Sequence, residues 1–243
     1  MSQVLVKETK TEKTVTFTNG IYARYIKRFL DFILSLCALI VLSPVLLILT
    51  VVGAIVMKGN PFFVQERPGK IEPKTGKEKI FNLIKFRTMT CQKDNDGNLL
   101  PDARRLTPYG NLLRKSSLDE LPELINILKG DMSIVGPRPL LPEYLPYYTQ
   151  EERHRHNVRP GLTGLAQING RNAIDWDTKL AFDVEYISKI AFMFDVKIIF
   201  GTVHKVIKHT DVLVGNEFKA GKFIDQRKYR QDKLSLKNGM SVK

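Results

Sequence analysis

The sequence lacks the cysteine pairs that hold small secreted domains together. Only two cysteines occur in 243 residues, Cys37 within an apolar run and Cys91 in a polar region. Disulfide-stabilised domains carry several cysteines at close spacing, so a reducing compartment is the simpler interpretation. The four histidines have no cysteine partners at useful spacing, and this excludes a Cys/His zinc site.

Two nucleotide-binding fingerprints are absent as well. The chain has neither a glycine-rich loop that ends in Lys-Ser or Lys-Thr nor a Gly-x-Gly-x-x-Gly segment. In P-loop kinases and Rossmann dehydrogenases these glycines let the backbone approach the phosphates of the nucleotide. Their absence excludes an ordinary member of either class.

Acidic residues are few compared with basic ones. The chain has 25 Asp and Glu against 38 Lys and Arg, which gives a formal net charge of +13. This excess predicts a polyanionic partner, such as nucleic acid, an anionic membrane surface or phosphorylated small molecules. With 43% hydrophobic and 26% charged residues, the composition is that of a folded protein.

The longest apolar run extends from Phe32 to Met57 and contains no Asp, Glu, Lys, Arg or His. As a straight helix with a rise of ~1.5 Å per residue it would reach about 39 Å, more than the ~30 Å hydrocarbon core of a bilayer. The run begins too late, is too long and lacks the cleavage site of a signal peptide. It therefore predicts a membrane segment.

Ser43-Pro44 lies near the middle of this run. Proline removes a backbone hydrogen bond and disfavours helix at the preceding residue. Each half of the run would then be only about 18–20 Å long, too short to cross a bilayer alone. Basic residues flank both ends, and such residues favour the cytoplasmic side. A re-entrant helix-break-helix is favoured, while a kinked spanning helix stays open because membrane helices tolerate proline.

The sequence predicts a helix-rich α/β fold in four parts: a flexible polar tail (1–19), a basic lead-in with the membrane helix (20–58), a compact domain (59–215) and a basic C-terminal tail (216–243). Phe62–Val64 and Ile80–Phe86 are predicted to form a small β-hairpin, and Gly161–Gly164 a turn. The stretch Ile190–Ile207 is predicted as core or as an interfacial amphipathic helix on a lipid surface.

Two adjacent carboxylates, Asp119 and Glu120, open a predicted helix over Leu118–Leu128. A helix N-terminus favours negative charge. A carboxylate there can bind a divalent metal or attack phosphorus as a nucleophile. Acidic residues in a first helical turn are also ordinary capping groups, so the pair alone does not define a site.

Cations elsewhere in the sequence favour a phosphorylated substrate for this pair. Arg138 lies between Pro137 and Pro139, whose rigidity lowers the entropy that is lost when the arginine binds a phosphate. Lys85 and Arg87 add two cations at a predicted strand end. Paired carboxylates with several cations suit a metal–diphosphate substrate better than nucleic acid.

With these residues in view, the chain from about Lys27 to about Thr210 resembles the bacterial sugar transferases known as monotopic phosphoglycosyl transferases, or polyprenyl-phosphate hexose-1-phosphate transferases. It looks like their minimal catalytic form. Each motif alone is weak, but the ordered set is specific. The motifs are Lys27-Arg28-Phe29-Leu30-Asp31, Ser43-Pro44, Gln65-Glu66-Arg67-Pro68-Gly69, Lys85-Phe86-Arg87-Thr88-Met89, Ser117-Leu118-Asp119-Glu120-Leu121-Pro122, Gly136-Pro137-Arg138-Pro139 and Arg159-Pro160-Gly161-Leu162-Thr163-Gly164.

The resemblance implies a two-step reaction. Asp119 would attack the β-phosphate of a UDP-sugar and release UMP, and polyprenyl (undecaprenyl) phosphate would then accept the sugar phosphate. Mg²⁺, held by Asp119 and Glu120, would offset the diphosphate charge, and Glu120 would serve the metal or the proton transfer. Arg138 resembles the family's phosphate-binding arginine, Lys85 and Arg87 are weaker candidates for the same role, and Pro137 and Pro139 would shape the site.

The resemblance also implies a place in the cell. Family members use Ser-Pro to turn back within one leaflet, so Ser43 and Pro44 would form the re-entrant break. The catalytic domain would lie on the cytoplasmic face of the bacterial inner membrane, in contact with membrane lipids and not with nucleic acid. The product would initiate a surface glycan such as capsule, exopolysaccharide or O-antigen and pass to downstream glycosyltransferases. A homodimer is compatible with this picture.

Two rivals remain at this point. A basic, membrane-tethered binding protein without catalysis accounts for the charge and the apolar run, but it leaves the carboxylates and the Pro-Arg-Pro segment unexplained. An enzyme that passes the sugar phosphate directly to the lipid would need no covalent intermediate on Asp119.

Overall fold

The computed structural model describes residues 20–170, 174–208 and 223–230. A short π-helix, Tyr22–Ile26, leads into the long helix α1, and the other elements form one domain that contacts it. In chain order the elements are α1 (Lys27–Met57), β1 (Phe62–Ile71), β2 (Glu78–Phe86), α2 (Asp102–Arg105), α3 (Pro108–Ser116), α4 (Glu123–Lys129), β3 (Ser133–Val135), α5 (Gln150–Arg153), β4 (Gly161–Thr163), α6 (Leu165–Ile168), α7 (Trp176–Ser188), α8 (Phe192–Lys208) and α9 (223–230). The predicted helix-rich α/β class is confirmed.

Helix α1 is continuous through Pro44, so the predicted break in helical structure at Ser43-Pro44 is wrong. Proline lacks the N–H that would bond to the carbonyl four residues earlier, that of Ile40. The Ser43 hydroxyl donates to that carbonyl at 2.7 Å and replaces the lost bond. The serine therefore lets the helix continue past the proline, where sequence reasoning expected it to stop.

Helix α1 is long and apolar enough to cross a membrane, by length and composition. Most of its large apolar side chains are exposed on the surface, including Ile40, Val41, Leu47, Ile48 and Ile55. Exposed apolar area on this scale is unfavourable in water. The helix therefore suits a lipid environment, which agrees with the predicted membrane segment.

The domain contacts α1 near the start of the helix and again in its second half. Arg28 donates to the carbonyls of Ile127 (2.7 Å) and Leu128 (2.9 Å), near the end of α4. In the second half of α1, the Tyr109 hydroxyl donates to the Leu49 carbonyl at 2.8 Å. One domain thus holds both halves of the apolar helix.

Asp31 is the buried polar anchor between α1 and the domain. It is 4% exposed and accepts hydrogen bonds from the Ser133 hydroxyl (2.7 Å) and the Ile134 N–H (3.0 Å) at β3.

Asp31→Ala leaves both donors buried without a partner, so we expect the free energy of unfolding to fall by about 2–4 kcal/mol. Thermal unfolding in detergent would measure this. Glu185→Ala, which removes a surface ion pair, is the control and should change stability by less than about 1 kcal/mol.

The β-hairpin is confirmed and is longer than the sequence predicted. β1 and β2 pair antiparallel from Phe62↔Phe86 to Ile71↔Glu78. Helix α4 packs on this hairpin through apolar contacts and through buried Asn126. The Asn126 side chain donates to the Asn82 carbonyl (2.7 Å) and accepts from the Ile84 N–H (3.1 Å), which fixes α4 against β2.

The segment Gly161–Thr163 is strand β4, parallel to β3, so the predicted turn at Gly161–Gly164 is wrong. A side chain at Gly161 would lie 2.1 Å from the backbone nitrogen of Gly136. The glycine is needed for this close approach of two strands and not for a reversal of the chain.

Helices α7 and α8 form a second apolar core, which includes Tyr186, Ile187 and Ile198. The buried carboxylate of Asp195 accepts from the hydroxyls of Tyr22 (2.6 Å) and Tyr186 (2.7 Å) and pairs with Lys27 at 2.6 Å. These contacts join the start of α1 to α8. The outer face of α8 leaves four large apolar side chains at least half exposed, as the predicted amphipathic character requires: Phe192, Met193, Phe200 and Val203.

The two predicted tails lie mostly outside the described residues. Residues 1–19 do so entirely, and within the predicted tail 216–243 only 223–230 is described. This part is helix α9, and its first residue, Phe223, is fully buried against the domain. The domain therefore includes a segment beyond the predicted boundary at 215, because an aromatic side chain there completes a core.

Candidate active site

The two adjacent carboxylates lie in a tight 3₁₀ turn, Leu118–Glu120, between α3 and α4. Ser117 has a left-handed backbone (φ 58°) that ends α3, and the regular helix resumes only at Glu123, after Pro122. The predicted helix over Leu118–Leu128 is therefore correct only in its second half. The turn points adjacent side chains in different directions, and as a result the two carboxylates have different surroundings.

Glu120 is held by two cations. Its Oε1 accepts from Lys85 Nζ at 2.8 Å and from Arg138 Nη2 at 2.6 Å, and its side chain is 19% exposed. Burial raises the pKa of this carboxyl, but Arg138 and Lys85 outweigh burial and hold the pKa well below its usual range. Glu120 is consequently an anion that orders the cations around it.

Asp119 differs from its neighbour because its carboxylate accepts no hydrogen bond from any described residue. Burial and the charge of Glu120 raise its pKa to about 6, although Lys85, Arg138 and Arg114 act in the opposite direction. A partly desolvated carboxylate without hydrogen bonds, surrounded by cations, is a competent nucleophile toward phosphorus once it is ionised. The structure thus gives different surroundings to two carboxylates that are alike in the sequence.

Glu123 is a third carboxyl of this cluster, and sequence reasoning missed it. It is 2% exposed, and its Oε1 lies 2.9 Å from Lys85 Nζ. Burial and the neighbouring Glu120 raise its pKa to about 7. Lys85 therefore lies between two acids, which fixes its ammonium close to the 3₁₀ turn. The signal in the sequence was the spacing of three between Glu120 and Glu123, which places both on one side of a helical turn.

Arg138 reaches Glu120 from the Pro137-Arg138-Pro139 segment, which is distant in sequence from the 3₁₀ turn. Both prolines are buried, whereas the Arg138 side chain is 42% exposed and available to a ligand. Glu120, the strongest influence on it, raises the pKa of Arg138 further. The Arg138 carbonyl accepts a hydrogen bond of 2.6 Å from Arg155, a residue that the sequence did not indicate.

The structure shows no hydrogen bond or ion pair between the remaining predicted site residues and this cluster, among the residues that it describes. The Arg87 guanidinium makes no hydrogen bond or ion pair with any described residue, and only its backbone N–H is bonded, to the Pro61 carbonyl at 2.7 Å. Ser43 and Pro44 belong to α1. Arg114, which donates to Thr88 at 3.0 Å and lowers the pKa of Asp119, was not predicted.

The donor set fits a magnesium ion only in combination with a substrate. Among the described residues, no group of three or more His, Cys, Asp or Glu side chains is placed to hold a metal. Mg²⁺ usually binds proteins through one or two carboxylates and completes its shell with water and substrate phosphates. Both cations bind Oε1 of Glu120, so its Oε2 and the Asp119 carboxylate are the oxygens that would hold the ion.

Comparison with known proteins gives one family and several curated relatives. The sequence model of the family described as bacterial sugar transferase matches residues 22–209. An uncharacterized sugar transferase EpsL of Bacillus subtilis is 46% identical over 82% of this chain and 95% of its own length. The exopolysaccharide production protein ExoY of Sinorhizobium fredii is 37% identical over 74% of this chain and 84% of its own.

A relative with a more detailed name is the UDP-glucose:undecaprenyl-phosphate glucose-1-phosphate transferase of Escherichia coli. It is 39% identical over 75% of this chain, and the match spans 40% of that protein. The chain thus corresponds to about two fifths of this longer relative. The matched family region contains α1 and the whole Asp119–Glu120–Arg138 cluster, whereas α9 lies beyond it.

Proposed function

The chain belongs to the bacterial sugar transferase family, and we propose that it transfers a sugar 1-phosphate from a UDP-sugar to undecaprenyl phosphate, with release of UMP. The observation that carries the proposal is the pairing of two carboxylates: Asp119, which accepts no hydrogen bond from the described residues, and Glu120, an anion held by two cations. The names of relatives supply the two substrates and the link to exopolysaccharide. The product would initiate a surface glycan that downstream glycosyltransferases extend.

The first step is attack by Asp119 on the β-phosphate of the donor. The Asp119 oxygen forms a bond to phosphorus, the bond to the bridging oxygen breaks, and UMP leaves with that oxygen and the electron pair. The sugar phosphate then remains on the carboxylate as an acyl phosphate. Arg138 and Lys85 bind the equatorial phosphate oxygens, where charge is spread in the transition state.

The second step regenerates the enzyme. A phosphate oxygen of undecaprenyl phosphate attacks the same phosphorus, and the bond to Asp119 breaks, so that the product is a lipid-linked diphosphosugar. Asp119 returns as a carboxylate and is ready for another donor. When bound at Asp119 and Glu120, Mg²⁺ would neutralise part of the diphosphate charge.

The acceptor's position argues for a membrane-embedded α1. The reactive phosphate of a polyprenyl lipid lies at headgroup level, and the net charge of +13 favours docking on an anionic cytoplasmic leaflet. Because the domain contacts α1 at Arg28 and again at Leu49, a re-entrant course with both ends on the cytoplasmic side is the arrangement that we propose. A straight crossing would carry one of these contact points away from the domain.

Pro44→Ala tests the re-entrant course. Alanine restores the missing N–H and removes the position at which proline allows the helix to bend, so we expect one flank of α1 to lose its cytoplasmic accessibility in a measurable fraction of molecules. Accessibility is measured by thiol labelling of Arg24→Cys and Lys58→Cys in a background without Cys37 and Cys91. Equal labelling of both flanks from the cytoplasm, with and without the Pro44→Ala substitution, would contradict this expectation.

The donor step should depend on pH through Asp119. The nucleophile is the ionised carboxylate, and its pKa is about 6. UMP formation from the UDP-sugar should therefore rise about tenfold per pH unit below pH 6 and become level above it. Single-turnover UMP release from about pH 4.5 to about pH 8.5 would measure this, since the range covers both sides of the titration. A profile that is level down to the acidic end would show that Asp119 does not titrate in the step.

The activity itself is tested with a panel of UDP-sugars. Purified protein in a membrane mimic with Mg²⁺ and undecaprenyl phosphate should release UMP from one donor, and Asp119→Asn should release none. Acceptor-dependent UMP would establish the reaction and identify the sugar. If the folded protein releases no UMP from any nucleotide sugar, a membrane-tethered binding protein becomes the better interpretation.

A further inference from the structure

The C-terminal helix α9, residues 223–230, lies beyond the matched family region and packs on the segment that follows the Pro-Arg-Pro motif. Phe223 is fully buried among three aromatic rings. Its ring centroid lies 5.0 Å from that of Tyr144, 5.5 Å from that of Tyr148 and 5.3 Å from that of Trp176. Such aromatic contacts attach the helix firmly to the segment that follows Pro139 and to the start of α7.

Two arginines of α9 add ion pairs to two different elements. Arg227 pairs with Glu152 in α5 and, at 3.3 Å, with Asp177 in α7. Arg230 also pairs with Asp177, with a second contact of 3.0 Å. Helix α9 therefore bridges α5 and α7, two elements that are separate in sequence.

The partners of a buried ion pair lie in α7 and directly after α5. Arg155 follows α5 closely, and Asp183 lies in α7; each residue is 3% exposed. Arg155 donates to Asp183 at 2.7 and 3.0 Å and, through Nη2, to the Arg138 carbonyl at 2.6 Å. A further bond of 3.2 Å runs from Arg155 to the hydroxyl of Tyr148, the residue that Phe223 contacts.

We propose that α9 is a positioning element for the active site: it holds Arg155 and Asp183 together so that the backbone of Arg138 is fixed where its guanidinium meets the donor's phosphate. This inference rests on the proposed function. Two independent contacts, the Phe223 ring and the Arg227 ion pairs, converge on the segment that bears Arg155. Because a buried charge pair is sensitive to small shifts of either partner, loosening α9 moves the Arg138 carbonyl.

The test is donor affinity in an Asp119→Asn background, where the UDP-sugar binds without turnover. Phe223→Ala should weaken UDP-sugar binding about tenfold, and Phe223→Leu should restore most of the affinity. Arg227→Gln, which removes the ion pairs without opening a cavity in the core, should weaken binding about threefold. Lys228→Ala, on the exposed side of α9, is the matched control and should bind like the parent. Circular dichroism and thermal unfolding establish that each variant is folded.

A double-mutant cycle distinguishes positioning from general loosening. If α9 acts through Arg138, Phe223→Ala should cost little further affinity once Arg138 is replaced by Ala. Equal losses in both backgrounds, or unchanged affinity in folded Phe223→Ala and Arg227→Gln proteins, would overturn the inference. Failure of every UDP-sugar to bind either the parent protein or Asp119→Asn would contradict the proposed function and the inference with it. If a UDP-sugar binds and its affinity does not depend on α9, the inference alone is contradicted.

Discussion

Asp119→Asn is expected to lower sugar phosphate transfer by at least about 10³-fold, because an amide oxygen is a poor nucleophile toward phosphorus. The carboxylate that it replaces accepts no hydrogen bond from the described residues, so the substitution breaks no hydrogen bond in the described part of the fold. UMP release and lipid-linked product should both disappear. Substantial turnover by a variant that mass spectrometry shows to be free of deamidation would exclude Asp119 as the nucleophile.

Asp119→Asn should also change how the stability of the protein depends on pH. The pKa of Asp119 is raised from 3.8 to about 6 in the folded protein, so the folded state binds the proton more tightly than the unfolded state. Its contribution to stability is therefore present at low pH and is lost as the pH rises through about 6. The asparagine carries no charge, so Asp119→Asn should unfold at a higher temperature than the parent at about pH 8 but not at about pH 4. Membrane association should be unchanged.

Replacement of Arg138 is expected to have the second largest effect. Arg138→Gln removes the cation that we propose binds the donor's phosphate. The same cation lowers the pKa of Asp119 in the parent protein. We expect a loss of roughly 10²–10³-fold in the donor step, comparable to loss of one donor that stabilises a transition-state oxyanion. The acidic limb of the pH profile should also move upward from about 6, because the positive charge of Arg138 no longer stabilises the ionised form of Asp119. Single-turnover UMP release as a function of pH measures both effects.

Arg138→Lys is the matched control for this result. Lysine keeps the charge but not the planar, bidentate geometry of the guanidinium. The rate should fall, whereas the acidic limb should stay near the pKa of about 6. If the Gln and Lys variants show the same upward shift of the limb, the charge of Arg138 does not control Asp119, and the assignment of the cluster is wrong.

Local patterns in the sequence predicted the elements that depend on neighbouring residues. Two short strand-like segments separated by a loop rich in Pro, Gly and Lys indicated the hairpin, and the apolar run indicated α1. Its continuity past Pro44 was not predictable from the proline alone, because it depends on the Ser43 hydroxyl reaching the Ile40 carbonyl. The prediction of a turn at 161–164 failed for a similar reason. The close approach of Gly161 to Gly136 arises only when two distant segments pair, and the sequence shows only the glycines.

The sequence predicted which residues form the site but not the different roles of the two carboxylates. Asp119 and Glu120 are adjacent in the sequence and chemically alike, and only the ion pairs of Glu120 with Lys85 and Arg138 separate them. Arg155 was missed because its role depends on a contact with the Arg138 carbonyl, 17 positions away in the chain. Roles that arise from long-range contacts leave no spacing signal in a single sequence.

The most direct test of the central proposal is the mass of the intact protein after incubation with its UDP-sugar and Mg²⁺ but without acceptor. A covalent intermediate predicts one equivalent of released UMP and an added sugar phosphate mass that maps to the peptide containing Asp119. This mass should disappear when undecaprenyl phosphate is added. If UMP forms only when both substrates are present, and rapid quenching recovers no adduct at any time, the transfer is direct and the role given to Asp119 is contradicted.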